Sequence, residues 1–138
     1  MTNARAILKF AFALVILLVG LGAGVLNAED QPIKRTELLR SDLAGLEGRE
    51  SVVYIADLMP GAVGGKHTHY GDEFVYILEG VLIVEPDGKD PVTLRQGEAA
   101  HLSPDVVHAA RNGSDSQPAK VLVFLVVEKG KPLAKATQ

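Results

Sequence analysis

Short apolar runs separated by turn residues fill the chain after residue 50, and this spacing constrains the fold more than any other feature. The segment from Pro86 to Asp90 is the clearest hairpin turn, because proline, aspartate and glycine favour tight turns. Short strands at such close spacing are typical of an all-β antiparallel sandwich or barrel. We predict strands at residues 51–58, 66–70, 73–78, 81–85, 92–94, 99–102, 107–112 and 119–128.

One predicted strand contains a stretch, Val121 to Val127, with apolar side chains on both faces. An antiparallel strand with one face in water normally alternates apolar and polar residues, so this stretch needs cover on two sides. Two interpretations remain open. The strand lies centrally, packed between two sheets, or its second face is buried in a dimer interface. We expect a homodimer.

Two histidines and a glutamate follow a glycine-punctuated pattern, Gly61-x5-His67-Thr-His69-x3-Glu73-x6-Gly80. Residues two apart on a strand point to the same face, about 6.6 Å apart along the strand, so two imidazoles at this spacing can converge on one ion. The polar stretch after His69 predicts a turn, which allows Glu73 to face the same ion from the neighbouring strand. The pattern predicts a metal site.

A third histidine, His108, lies in a later segment between a proline-containing turn and a polar stretch that begins at Asn112. Together the two segments resemble the two signature motifs of the cupin superfamily. The first motif matches at every position, and the second keeps the family's spacing in Gly97, His108 and Asn112. It reads Ser103-Pro104-Asp105 where the family usually has Pro-x-Gly. Aspartate tolerates left-handed backbone, so we expect this difference to concern only the shape of the turn.

The resemblance covers residues 51–128 and implies a jelly-roll barrel, the cupin barrel. Carried over position by position, it implies one divalent transition metal per chain with the ligands His67, His69, Glu73 and His108. Imidazole and carboxylate ligands suit Fe(II), Mn(II), Cu(II), Ni(II) and Zn(II), so ligand type leaves the identity of the metal open. Glu73 is also our candidate catalytic residue, as a carboxylate that can act as a base.

The resemblance further implies a mononuclear metal-dependent oxidoreductase of the dioxygenase type, acting on a small oxygenated organic molecule. Cupins also include isomerases, lyases and binding proteins, because one scaffold hosts several functions. Two alternatives therefore stay open: a redox-neutral isomerase or lyase acting on a sugar or keto acid, and a non-catalytic exported protein that binds a small ligand or a metal. The sequence shows no nucleophile with an adjacent base, so a metal would supply most of the chemistry.

Other polar residues are weaker candidates for the site. His101 precedes His108 by seven residues, and we favour an ordinary structural role over a role as a second-shell partner or pocket acid or base. Asn112 is expected to hold a turn through side-chain to backbone hydrogen bonds. Tyr70 is expected to pack rather than to reach the site. Three arginines could anchor an anionic substrate, but we expect them to be ordinary surface residues: Arg49, Arg95 and Arg111.

The first 28 residues read as a secretory signal peptide. Arg5 and Lys9 precede an uncharged apolar run from Phe10 to Leu26, and Ala28 is a small residue suited to cleavage before Glu29. The run is also close to the length of a membrane-spanning helix, and we favour cleavage over an amino-terminal anchor. We therefore expect an exported protein, periplasmic or secreted, without stable membrane association after cleavage.

The rest of the chain divides into an amino-terminal arm at residues 29–50, the barrel, and a flexible tail at residues 129–138. Within the arm, residues 33–40 form either a strand or a short helix. The chain has no cysteine, which excludes disulfides and thiolate ligands. Its formal charge of -3 falls to -5 when Arg5 and Lys9 leave with the signal peptide. We therefore expect a small-molecule ligand or substrate as partner, and no nucleic acid.

Overall fold

The computed structural model describes residues 32–137, so the predicted signal peptide, residues 1–28, lies outside the described residues. No helix in that described range is long and apolar enough to cross a membrane. The regular elements of this range are β1 (Ile33–Asp42), β2 (Arg49–Leu58), β3 (His67–Thr68), β4 (Gly71–Glu79), β5 (Val81–Pro86), β6 (Val92–Arg95), β7 (Ala99–Leu102), β8 (His108–Asn112), β9 (Ala119–Glu128) and β10 (Lys135–Ala136). The predicted all-β class is confirmed.

The strands form two five-stranded antiparallel sheets. The first sheet has the order β1-β2-β9-β4-β7, and the second has the order β10-β3-β8-β5-β6. The chain crosses from one sheet to the other between β2 and β3, between β3 and β4, and between β4 and β5. Such crossings place sequence neighbours on opposite sheets, as in the predicted jelly-roll sandwich.

The hydrophobic core lies between the sheets and consists mainly of alternate residues from β2, β4, β5 and β9. On β9 every second residue from Val121 to Val127 is buried, whereas Phe124 on the opposite face is only partly buried. Burial of one such aliphatic side chain stabilises the fold by about 1.5–3 kcal/mol. β9 is thus the central strand of the first sheet, flanked by β2 and β4, but within residues 32–137 no second sheet covers its outer face.

The segment between His69 and Glu73 differs from the prediction of a turn. β4 begins at Gly71 and runs beside β9 in the first sheet, whereas β3 belongs to the second sheet. Gly71 permits this pairing because a Cβ atom there would collide with the carbonyl oxygen of Val126. Glu73 therefore approaches the histidines from the opposite sheet, and the expectation of a neighbouring strand is wrong.

Both ends of the described range pair with barrel strands. β1 pairs with β2 along its length. Residues 33–40 therefore form a strand, which was one of the two predicted alternatives, and not a short helix. In the predicted tail, residues 129–138, β10 pairs with β3, and Leu133 packs against the core. The arm and the tail therefore supply the outermost strands of the two sheets, one on each.

Candidate metal centre

Three histidines of the second sheet converge between the two sheets. His67 on β3 pairs directly with His108 on β8, and His69 follows β3 immediately. One ligand nitrogen from each ring lies within 4.8 Å of the other two. This arrangement allows all three rings to bind one metal ion.

Glu73 reaches the same point from the first sheet. It lies on the inward face of β4, and its Oε2 atom is 3.1 Å from Nε2 of His69 and 3.2 Å from Nε2 of His108. The side chain of Glu73 is only 7% exposed, and those of the two histidines are exposed even less. The structure thus brings together all four residues that were named as candidate ligands.

Main-chain carbonyl groups orient all three imidazole rings. Each Nδ1 atom lies near a backbone oxygen: that of His67 is 2.8 Å from Gly65, that of His69 is 2.6 Å from Leu133, and that of His108 is 3.0 Å from Val106. A carbonyl oxygen can only accept, so each Nδ1 carries a proton and donates it. In a neutral ring, Nε2 then presents a lone pair to the centre, which is the usual arrangement of metal-binding histidines.

The centre contains buried polar atoms that have no partner. Nε2 of His69 and Oε2 of Glu73 are 3.1 Å apart, yet both are buried and neither makes a hydrogen bond. With a neutral ring, both atoms present lone pairs, and a buried acceptor without a donor is costly. A cation between them removes the conflict. Nitrogen and oxygen donors of this kind fit a divalent transition metal.

The pKa values of these groups follow from burial and from their contacts. Burial lowers the pKa of His67 below its ordinary value of 6.5. Burial also acts to lower the pKa of His108, but the close contact with the Glu73 carboxylate and the hydrogen bond to the carbonyl of Val106 outweigh it and the pKa is raised. For Glu73, burial acts to raise the pKa, yet contacts with His108 and His69 lower it to about 2. Glu73 is therefore a carboxylate at physiological pH.

A cavity lies next to this centre, between the sheets. Its volume is about 60 Å³, which is more than the roughly 10–15 Å³ that a single water needs. His67, Glu73 and His108 line the cavity. Its other walls are mostly aliphatic and come from both sheets: Ile33, Ala56, Leu58, Val75, Leu82, Val84, Leu102, Ala110, Val121 and Val123.

Two polar residues that the sequence did not identify also line the cavity, Arg35 on β1 and Tyr54 on β2. Tyr54 is 4% exposed, and burial raises the pKa of its phenol, with a further contribution from the negative charge of Glu73. The phenol therefore stays protonated and can donate a hydrogen bond. Arg35 was missed because it lies in the segment assigned to the arm. The alternation of residue faces along a strand was the signal available to find it.

His101 lies outside this centre. It is on β7, on the outer face of the first sheet, with Nε2 2.7 Å from Oδ1 of Asp72. Its ring stacks on Phe74 with the centroids 4.6 Å apart. The structural role that we favoured for His101 agrees with this position, because the sheet separates it from the metal centre.

The three arginines named from the sequence do not line the cavity. Arg49 donates to the carbonyl oxygen of Tyr70 at 3.3 Å, and Arg111 pairs with Glu85 at 2.9 Å. Arg95 is exposed on β6. Tyr70 is partly buried against the core and does not line the cavity either. In the described part of the chain, the arginine of the cavity is Arg35.

Asn112 holds the turn that follows β8. Its buried side-chain amide donates to three carbonyl oxygens, those of Leu58, Met59 and Gln117, at 2.8 to 3.2 Å. The expected role of Asn112 is confirmed. Asp105, in the turn that departs from the usual motif, has a φ of 63°. Aspartate thus adopts the left-handed backbone there, as expected, and His108 keeps its place.

Comparison with known proteins decides the family. The cupin domain model matches residues 54–127, more than half of the chain. The chain is a cupin. None of the curated proteins matches this cupin.

Solved structures similar to this cupin include three from different bacteria. A cupin superfamily protein from Desulfitobacterium hafniense has 16% identity and a TM-score of 0.59, covering 72% of this chain and 80% of that one. The DMSP lyase DddQ from Ruegeria pomeroyi has 19% identity and a TM-score of 0.61, covering 77% of this chain and 52% of that one. The polyketide cyclase RemF from Streptomyces resistomycificus has 20% identity and a TM-score of 0.60, covering 78% and 72%.

At these identities the likeness shows the fold alone, and this cupin spans about half the length of the lyase. Cupins commonly bind a metal and small-molecule ligands. In this cupin three histidines are positioned to hold an ion, next to a cavity of small-molecule size.

Proposed function

We propose that this cupin is a mononuclear metal-dependent oxidoreductase of the dioxygenase type, acting on a small oxygenated organic molecule. The observation that supports the proposal most directly is the pair of buried acceptors, Nε2 of His69 and Oε2 of Glu73, 3.1 Å apart without a hydrogen bond. A metal ion bound by both atoms would remove their conflict. The adjacent cavity has the size of a small substrate.

In this proposal His67, His69, His108 and Glu73 hold one divalent metal ion. Bound iron, copper or manganese would supply reactivity with dioxygen, and bound zinc would supply Lewis acidity. The protein contributes ligands whose Nε2 atoms are already turned inward by main-chain oxygens. Glu73 is the candidate catalytic base, because it stays ionised and lines the cavity.

The cavity walls support chemistry that uses a metal rather than a side-chain nucleophile. Among the described residues, none of those that line the cavity is a serine, threonine or cysteine. The mostly aliphatic walls offer few hydrogen bonds to water, which would help to protect reactive intermediates from side reactions. An apolar cavity also admits dioxygen, which is small and uncharged.

Elemental analysis of the protein purified from its native compartment, paired with an oxygen electrode, tests this proposal. We expect near-stoichiometric iron, copper or manganese, and oxygen uptake with a panel of small oxygenated acids and alcohols. The His69→Ala variant is the control and should lose both metal and uptake. Full metal loading in that variant, or no binding of any metal by the wild type after reconstitution, contradicts the metal site.

A redox-neutral isomerase or lyase is the second candidate, and the position of Tyr54 favours it. Its protonated phenol and the carboxylate of Glu73 line one cavity, so a hydrogen-bond donor and a base can act on the same ligand. Turnover of a sugar or keto acid under strict anaerobiosis with zinc would select this candidate over a dioxygenase. Ligand binding without product under either condition would select a non-catalytic binding protein.

We propose in addition that the protein is exported and forms a homodimer. The signal-peptide features of residues 1–28 support export, and the mass of the mature protein tests cleavage before Glu29. An apolar patch on the outer face of the first sheet supports a dimer, since Phe74 and Tyr76 are 41% and 43% exposed beside Phe124. Light scattering after gel filtration would contradict the dimer by giving a monomeric mass.

A further inference from the structure

Arg35 and Tyr54 are neighbours on the inner face of the first sheet. β1 and β2 pair antiparallel, with Arg35 opposite Ala56 and Glu37 opposite Tyr54. Residues opposite each other share a face of the sheet, so Arg35 lies diagonally next to Tyr54. Both residues line the cavity that contains the candidate metal ligands. A cation and a hydrogen-bond donor therefore face the same space as the metal centre.

The charge of Arg35 has no partner within the described residues. None of the ion pairs among residues 32–137 includes Arg35, although the neighbouring Arg40 on the same strand pairs with Glu37 and Glu50. The anionic side chain that lines the cavity is Glu73, which already contacts His69 and His108. Arg35 is exposed and contacts the phenol of Tyr54, so its remaining N–H donors are available to a ligand at the mouth of the cavity.

We propose that Arg35 and Tyr54 form the anion-binding end of the cavity, and that the ligand is a small carboxylate carrying a second oxygen. This inference rests on the proposed metal site for the second oxygen, but the role of Arg35 can be tested separately. A guanidinium group presents two parallel N–H donors that match the two oxygens of a carboxylate. The phenol of Tyr54 adds one further donor.

Charge and size both favour a carboxylate of a few carbons. One carboxylate, Glu73, balances only half of the charge of a divalent ion, and Arg35 adds another positive charge. A monoanionic ligand therefore lowers the net charge of the cavity. A volume of about 60 Å³ suits a ligand of few heavy atoms, such as a two- or three-carbon hydroxy acid.

Ligand-observed NMR on the zinc-loaded protein provides the test, because zinc is diamagnetic and the method detects millimolar affinities. The probes are glycolate and lactate, each compared with its uncharged amide. We expect both acids to bind at least about tenfold more tightly than the amides. Arg35→Met should weaken binding of the acids about tenfold or more and leave binding of the amides unchanged. Tyr54→Phe should weaken binding of the acids by a smaller factor.

Arg95→Met is the matched control, since it makes the same charge change at an exposed position outside the cavity. It should leave all four affinities unchanged. Equal binding of acids and amides, or equal losses in the two methionine variants, would overturn the proposal. So would unchanged binding of the acids in Arg35→Met, because the carboxylate would then contact the metal alone.

Zinc affinity, measured first by competition with a chromogenic chelator, separates this proposal from the proposed function. If zinc does not bind, the metal site itself fails, and the same NMR series on the metal-free protein then decides whether Arg35 selects acids over amides. If zinc binds and Arg35→Met has no effect, only the carboxylate assignment fails. Thermal unfolding of each variant confirms that the fold is intact.

Discussion

Two carboxylate–imidazole clusters lie one residue apart on β4, on opposite faces of the first sheet. On the outer face, Asp72 is 2.7 Å from His101, and the side chains are 39% and 44% exposed. On the inner face, Glu73 is 3.1 and 3.2 Å from His69 and His108, and all three side chains are buried. The chemical groups are alike, so their surroundings determine what each cluster can do.

The orientation of the rings separates the two clusters. His101 turns Nε2 toward Asp72 within hydrogen-bond distance, and water can solvate both groups. His69 and His108 donate from Nδ1 to main-chain oxygens instead, so in the neutral rings Nε2 is an acceptor facing another acceptor on Glu73. Burial and backbone support therefore distinguish the candidate metal site, because carboxylate and imidazole groups occur on both faces. Four predictions test this difference.

Removing one imidazole from each cluster should give the largest contrast. His69→Ala removes a candidate ligand, so we expect metal affinity to fall more than about 100-fold, beyond the range for groups that only support a ligand. His101→Ala should leave metal affinity unchanged, because the ring lies on the far side of the sheet. Competition with a chelator of known affinity measures both. A similar fall in the two variants would contradict the comparison.

Neutralising one carboxylate in each cluster should change stability unequally. In the metal-free protein near pH 6, Glu73→Gln breaks a buried charge pair, and we expect a loss of about 3–5 kcal/mol in unfolding free energy. Asp72→Asn should cost less than about 1 kcal/mol, since exposed pairs are screened by solvent. Urea unfolding followed by circular dichroism measures the two values. Equal losses would show that burial does not distinguish the clusters.

Shortening the chain should remove the main-chain support of one buried ring, that of His69, which His101 on the outer face lacks within the described range. A protein ending at Lys131 lacks the carbonyl of Leu133, the acceptor for Nδ1 of His69, and also lacks β10. We expect metal affinity to fall about 10- to 100-fold, as for loss of other ligand-supporting groups. A protein ending at Thr137 keeps both features and serves as control. Unchanged affinity in the shorter protein, with the fold intact, would show that this support is dispensable.

The pH dependence of the Glu73→Gln effect should give the smallest but most specific signal. Glu73 has a pKa of about 2 against an ordinary 4.5, so its contribution is present above pH 4.5 and lost as pH falls toward 2. His108 has a raised pKa, so its contribution is present below 6.5 and lost as pH rises through the raised value. The stability difference between wild type and Glu73→Gln should therefore be largest between pH 4.5 and 6.5.

His67 does not obscure this measurement. Its pKa is lowered mainly by burial, so it opposes folding as pH falls below 6.5, and because burial is common to both proteins most of this effect cancels when they are compared at one pH. The metal-free protein must be used, because a bound ion replaces the protons on the histidines. A difference that is flat from pH 4 to 8 would contradict the coupling between Glu73 and His108.

The sequence predicted the parts of this molecule that depend on local pattern. Strand spacing indicated the sandwich. The spacing of His67, His69, Glu73 and His108 predicted that these four residues meet at one site, and they do so in the structure. The left-handed turn at Asp105 was expected from the residue type. These features were predictable because period, turn chemistry and motif spacing are properties of neighbouring residues.

The sequence failed where tertiary pairing decides the outcome. The pairing of Gly71 with β9 depends on how closely two backbones approach, and the prediction placed a turn there. Arg35 faces the cavity only because β1 pairs with β2 in a particular register. The sequence offered three arginines as candidates for binding an anion, Arg49, Arg95 and Arg111. A charge count does not show on which face of a strand each side chain lies.

Main-chain oxygens orient all three imidazole rings, and substitution of a side chain does not remove such an oxygen. A change of codon at position 65, 106 or 133 replaces a side chain but leaves the carbonyl group in place. Leu133 is also constrained by its packing against the core. At positions 65 and 106, however, substitution can leave the ring tautomers unchanged, provided that the backbone does not move. Selection acts there on chain path rather than on residue identity, so lineages can diverge at these sites and retain the same ring orientation.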